Sequence, residues 1–230
     1  MHRLKRPATV HQRRVGSATN GPTLVLYVRH GHTPTTGARL PGRAPNLHLS
    51  DKGRTQAEAV ARHLADRAPG LPGGAVAAVY ASPMERARET AAPIARAVGC
   101  RIRTASGLNE CDFGAWTGRR LQELRKLKSW ATVQDQPSAF RFPKGESFAE
   151  MQDRITGQVD SLVSRHPGQT IVCVSHADPL KATLARDLGT PLDLFQRLEV
   201  SPCSVSAVLH GSHRPHILNI NATGHLADHP

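Results

Sequence analysis

Five side chains in this sequence have types and placements that could do chemistry together: Arg29, His30, Arg86, Glu110 and His176. Arg29-His30-Gly31 closes the apolar run Thr23-Leu-Val-Leu-Tyr-Val28, a pattern that predicts a strand ending on a guanidinium and an imidazole. His176 closes a second β-branched run, Thr170-Ile-Val-Cys-Val-Ser175, ahead of a helical pattern over 177–188. Arg86 follows a third short run, Val76-Ala-Ala-Val-Tyr80, and Glu110 lies in the loop-like stretch Leu108-Asn-Glu-Cys-Asp-Phe-Gly114. Two arginines can grip a group that carries close to two negative charges with forked, charge-assisted hydrogen bonds, and a phosphate monoester is such a group. That charge needs no metal. A histidine held among cations stays neutral, and its free nitrogen can attack phosphorus to give phosphohistidine. The second histidine would donate to the phosphoryl oxygens in the transition state. The carboxyl would protonate the leaving alcohol and then deprotonate water, its pKa raised by the neighbouring dianion.

These residues need elements to bring them together. Each follows a predicted strand or sits between two, and ligands of open α/β sheets bind at the carboxyl edge of the strands. After Tyr80, Ser82-Pro83-Met84-Glu85 reads as an N-cap, a first-position proline and a capping-box acid, which puts Arg86 in the first turns of a helix. Pro93 should kink or shorten that helix. Ser50 caps another helix whose apolar stripe is Ala57, Val60, Ala61, Leu64, Ala65 and Ala68, closed by Pro69-Gly-Leu-Pro-Gly-Gly74. A further helix spans about Ser147 to Arg165, with Phe148, Met151, Ile155, Val159 and Leu162 inward. Ser204–Leu209 and His216–Ile220 read as a pair of edge strands joined by a Gly-containing turn and antiparallel to the rest. Repeating β-α units make this an α/β chain of three layers, a mostly parallel sheet with helices on both faces. Trp116–Pro143 breaks the pattern. It carries Arg119, Arg120, Arg125, Lys126 and Lys128 with Trp130, Phe140 and Phe142, and reads either as a helical insert roofing the catalytic edge or as a solvated basic helix packed through its aromatics.

Read together, these motifs resemble the histidine phosphatase superfamily, also called phosphoglycerate-mutase-like. The resemblance rests on Arg29-His-Gly-His-Thr33, Leu40-Pro-Gly-Arg43, Leu49-Ser-Asp-Lys-Gly53 with Gln56-Ala57, and Ser82-Pro-Met-Glu-Arg86-Ala-Arg-Glu-Thr90-Ala91. It continues through Leu108-Asn-Glu110 to Gly118, Pro143-Lys-Gly-Glu-Ser147 and Val174-Ser-His176-Ala-Asp178, covering roughly Leu24 to Asn221. It implies that His30 accepts the phosphoryl group, that Arg29, Arg86 and His176 form the phosphate pocket, and that Glu110 is the acid and base. Thr33, Thr36, Arg43 and Ala177 are implied as further substrate contacts. The chain departs from many relatives at His32 (Glu or Gln there), at Thr36 (Asn) and at Ala177 (Gly). A shorter hydroxyl at Thr36 thus replaces an amide that could touch phosphate.

At 230 residues the chain is long enough for one large domain, expected over 23–222 between a basic, disordered tail at 1–22 and a short tail at 223–230. The net charge of +12 falls partly on the first tail, which holds Arg3, Lys5, Arg6, Arg13 and Arg14 and no acid. The remainder carries 25 basic against 18 acidic residues, and no nucleic-acid module is recognisable in it. No run is long enough to span a membrane, and the tail lacks a signal-like apolar stretch. Cys100, Cys111, Cys173 and Cys203 are scattered, as in a reducing cytoplasm. His30, His32 and His176 have donors for a metal, but Gly31 ends the strand on which His30 and His32 would share a face. The expectation is therefore a cytoplasmic, metal-independent phosphatase without a cofactor, acting on a small phosphorylated metabolite with no nucleic-acid or membrane partner. A phosphoglycerate mutase using the same intermediate is the alternative, ahead of a non-catalytic phosphate- or polyanion-binding protein. Oligomeric state is not readable from the chain.

Overall fold

A computed structural model describes residues 21–67 and 70–226; residues 1–20 of the first expected tail and 227–230 of the second lie outside the described residues. The strands are β1 (Thr23–Arg29), β2 (Val76–Ala81), β3 (Ile102–Thr104), β4 (Thr170–Ser175), β5 (Val205–His210) and β6 (His216–Ala222). The helices are α1 (Asp51–Arg67), α2 (Glu85–Ala97), α3 (Leu121–Leu124), α4 (Ser129–Asp135), α5 (Phe148–Ser164) and α6 (Ala177–Leu188). All six strands form one sheet in the order β3-β2-β4-β1-β5-β6. The first four run parallel, and β5 is antiparallel to β1.

Period-2 alternation along β1 divides its side chains between two cores. Leu24, Leu26 and Val28 pack with Val60 and Leu64 of α1 and with Ala91 and Ile94 of α2. Val25 and Tyr27 pack on the other face with Ile155 and Val159 of α5 and with Leu180 and Leu184 of α6. A third cluster joins Phe113, Trp116, Phe140, Phe142 and Phe148 to the flanks of α5 and α6, and on it the 116–143 insert rests.

Three local expectations are corrected. Of the expected pair of edge strands only β6 is one: β5 lies between β1 and β6, and the hairpin turn makes β6 antiparallel to β5, so β6 runs the same way as β1. Its pairing with β5 contains register shifts, and Asn221 has a left-handed φ of 57°. Secondly, α2 begins at Glu85 with Met84 at the N-cap and no side-chain cap; the Ser82 hydroxyl is drawn towards His176 instead. Thirdly, of the two effects expected of Pro93, shortening does not occur: α2 runs through the proline to Ala97. By contrast, Ser147 and Glu150 form a reciprocal capping box at α5, and the Ser50 hydroxyl accepts from Gly53 N–H at the start of α1. Gly224–Leu226, beyond the expected boundary at 222, form a 3₁₀ turn whose His225 stacks on His63 of α1.

The topology creates the site. After β1 the chain crosses to the α1–α2 face, whereas after β4 it crosses to the α5–α6 face. Because β1 and β4 are neighbours, a crevice opens between their carboxyl ends, the switch point at which α/β sheets bind ligands.

Candidate active site

His30 and His176 leave adjacent strands at this crevice, where Arg29 pairs with Ser175 and His30 N–H donates to Ser175 O at 2.9 Å. Their rings meet edge to face with centroids 5.1 Å apart. The turn after His30 is tight: a Cβ on Gly31 would sit 2.6 Å from Gly53 O, and a Cβ on Gly53 would overlap His32 O. Glycine at both positions lets the end of β1 lie against the start of α1.

The His30 Nδ1–H donates to Gly31 O at 2.8 Å, which leaves the Nε2 lone pair free in the neutral ring. Burial, then the positive charges of Arg86 and Arg29, hold the pKa of His30 well below its ordinary value. Burial matters more than the cations, and the same two causes lower His176. Arg86 is fully buried; its Nη2 donates to Gly42 O at 2.8 Å, while Nε and Nη1 are buried without a hydrogen-bond partner. Arg29 Nη1 donates to Val200 O at 2.7 Å, and its Nε is likewise unpartnered. Buried guanidinium donors with nothing to donate to are costly unless an anion takes them.

Glu110 is buried, with Oε1 accepting from Cys111 N–H at 3.0 Å and Oε2 3.8 Å from His176 Nδ1. Desolvation and the negative charge of Asp178 raise its pKa to about 7, against the opposing pull of Arg86 and Arg29. The carboxyl is therefore tuned by the protein alone, before any phosphate enters. His176 Nε2 lies 2.8 Å from Ser82 Oγ, which can also reach Asn109 Oδ1 at 3.3 Å. A Ser82 hydroxyl that donates to Nε2 leaves the His176 proton on Nδ1, the nitrogen on the Glu110 side.

A cavity of about 440 Å³ opens from this point and is lined by Arg29, His30, Glu110, Thr33, Thr36 and Ala177 among others. Arg86 and His176 do not line it; both are fully buried, in reach through His30 and Glu110. Thr36 Oγ1 accepts from Thr33 N–H at 2.9 Å and so braces the loop it lines. Arg43 is placed elsewhere: its Nε donates to Glu110 O at 2.8 Å and its Nη2 pairs with Glu146 at 2.9 Å, behind the acid loop and outside the cavity lining. His32 turns to Ser50 Oγ at 2.9 Å and does not join His30 and His176. Among the described residues no group of three His, Cys, Asp or Glu side chains is disposed to hold a metal ion, and no helix is long and apolar enough to cross a membrane.

Three residues at the site were not singled out from sequence. Ser82 read as a helix cap. Asp178 lines the cavity in the first turn of α6, where an acid is unremarkable by type. Arg154, on α5, donates to Gly107 O, Asn109 O and Glu110 O at 2.8, 2.9 and 3.2 Å and grips both oxygens of Glu146 at 2.7 and 2.9 Å. The i to i+4 row that gave the apolar stripe of α5 carries no sign of it.

Residues 25–223 match the model of the histidine phosphatase superfamily (branch 1), and the chain belongs to that family. It is 31% identical to bifunctional protein Rv2228c of Mycobacterium tuberculosis over 91% of its own length, but spans only 56% of that relative. Phosphoserine phosphatase 1 of Hydrogenobacter thermophilus is 29% identical, with 89% of this chain and 94% of that one covered. Other curated relatives carry the name probable phosphoglycerate mutase. Among solved structures, YhfR of Bacillus stearothermophilus superposes with a TM-score of 0.79 at 27% identity, covering 89% of this chain and 99% of that one.

Proposed function

We propose that this chain is a metal-independent phosphatase that hydrolyses a phosphate monoester through phosphohistidine on His30. The observation that carries the reading is the His30 tautomer: a buried, neutral ring whose Nδ1–H is spent on Gly31 O, so that Nε2 is the nucleophile. Arg29, Arg86 and His176 bind the phosphoryl oxygens, with the N–H of Ala177 and the hydroxyls of Thr33 and Thr36 beside them. In the first step Nε2 forms a bond to phosphorus as the ester P–O bond breaks, and Glu110 gives its proton to the leaving oxygen. In the second, water attacks phosphorus, Glu110 takes a proton from it, and the P–N bond breaks to release phosphate and neutral His30. A carboxyl with a pKa of about 7 suits both halves. Arg43 acts through the acid loop in this reading and not on substrate. Four free thiols support a reducing, cytoplasmic setting.

The relatives named as mutases favour one second reading, in which the same intermediate returns its phosphoryl group to an alcohol. Phosphate release from p-nitrophenyl phosphate in excess chelator, by the natural chain and by His30→Ala, tests both. Turnover by the natural chain alone is expected. Equal turnover by His30→Ala would sink the nucleophile assignment, and loss of turnover in chelator would sink metal independence. An acid-labile phosphoenzyme that persists in water points to the mutase.

A further inference from the structure

Resting on the phosphatase reading, we propose that the preferred substrate is a bulky monoester with a flat apolar body and a second anionic group remote from the transferred phosphate. The cavity of about 440 Å³ lies within the ~300–1,000 Å³ typical of sites for drug-sized ligands. An ester of only a few carbons, its phosphate held at His30, would leave most of that volume wet.

The outer wall is apolar: Leu40 and Leu121 face the cavity with Trp130, Val133 and Phe142. Trp130 stacks on Trp116 with centroids 6.4 Å apart and planes 18° from parallel, and Trp116 in turn packs edge to face on Phe142 at 5.4 Å. This backing fixes an indole at the cavity, a surface suited to a flat ring. The wall is also preformed. Leu40 N–H donates to Arg119 O at 3.0 Å, Gly118 N–H to Leu40 O at 2.7 Å and Leu121 N–H to Ala38 O at 2.9 Å, so the 33–40 loop and the insert are strapped backbone to backbone. Ordering on binding is correspondingly small.

Cations stand on the same lining. Arg39 spends one N–H on Gly118 O at 2.8 Å, and Lys181 is balanced by the neighbouring Asp178. Arg125 is exposed at the carboxyl end of α3, and its guanidinium has no hydrogen-bond or ion-pair partner among the described residues. It therefore supplies the charge for the second anion, a carboxylate or a phosphate, as a forked donor.

The test measures kcat/KM of the full chain for 1-naphthyl phosphate, for naphthyl phosphates bearing a carboxylate or a second phosphate, and for phosphoserine. The anionic naphthyl esters are expected to exceed both the plain naphthyl ester and phosphoserine, by about tenfold or more for one charge-assisted contact. The two anionic esters separate a carboxylate from a phosphate as the second group. Arg125→Glu should lower the preference for anionic over plain naphthyl ester by at least that factor. Phosphoserine turned over as well as the bulky esters, or a preference unchanged in Arg125→Glu, overturns the proposal. Quenching of tryptophan fluorescence in His30→Ala by the same four esters reads the same ranking without chemistry. If no ester is turned over yet the ranking holds in binding, the phosphatase reading fails while the substrate class stands.

Discussion

Glu110 and the two histidines are ionisable groups whose burial disfavours charge, and they pull the pH dependence in opposite directions. The folded pKa of Glu110, about 7, lies above its unfolded value, so its contribution to stability is complete below roughly pH 4.3 and is lost as pH rises through 7. His30 and His176 are depressed; their contribution is complete above about pH 6.5 and is lost as pH falls towards their folded values. For catalysis, kcat/KM on an alkyl phosphate should decline above about pH 7 as the acid form of Glu110 disappears, whereas a p-nitrophenolate leaving group needs no proton and should show no such limb. Glu110→Gln should lower kcat/KM about 100-fold or more on the alkyl ester and far less on the nitrophenyl ester, and should gain stability relative to the natural chain between pH 5 and pH 8 in urea titrations. Equal losses on the two esters, or a stability difference independent of pH, would remove Glu110 from the acid role. Arg29, His30, Arg86, Glu110 and His176 were legible in the sequence because each stands at the end of a strand or in a motif whose local pattern is readable. Ser82, Asp178 and Arg154 were not, because what matters about them is a partner far away in sequence: His176 for Ser82, and Glu110 for the other two.

At the scale of elements, the acid loop is held from behind by α5. The Arg154 guanidinium takes the loop carbonyls of Gly107, Asn109 and Glu110 and the Glu146 carboxylate, and Glu146 also accepts from Asp112 N–H at 3.0 Å. Arg43 adds a second donor to Glu110 O. Arg154 is thus a positioning residue. Arg154→Ala should weaken turnover of alkyl phosphates more than of p-nitrophenyl phosphate, copying Glu110→Gln, with partial rescue by Arg154→Lys. Loss of the same size on both esters would show a general structural role instead. Strand and helix positions followed from apolar periodicity wherever an element was long, as in α5 and α6. The three-residue β3, with one apolar side chain, gave no period to read, and the directions of β5 and β6 depend on which neighbour each strand finds, which no local pattern encodes.

Over the whole molecule, a sheet sandwiched between α1–α2 and α5–α6 concentrates stability in two dry layers while the carboxyl edge stays open. Ile155→Ala, at a fully buried position of α5, should cost about 2–5 kcal/mol, measured by urea unfolding; a loss below about 1 kcal/mol would mean that this face is not packed as described. The two borders of the sheet have a consequence of their own. One border is the three-residue β3, and the other is β6, whose ladder is broken by register shifts and by the left-handed backbone of Asn221. Neither presents a long, flat row of free backbone groups, so partly unfolded copies find little template for strand-to-strand aggregation, and the buried parallel strands are shielded from fibril growth by the irregularity of their outermost neighbours.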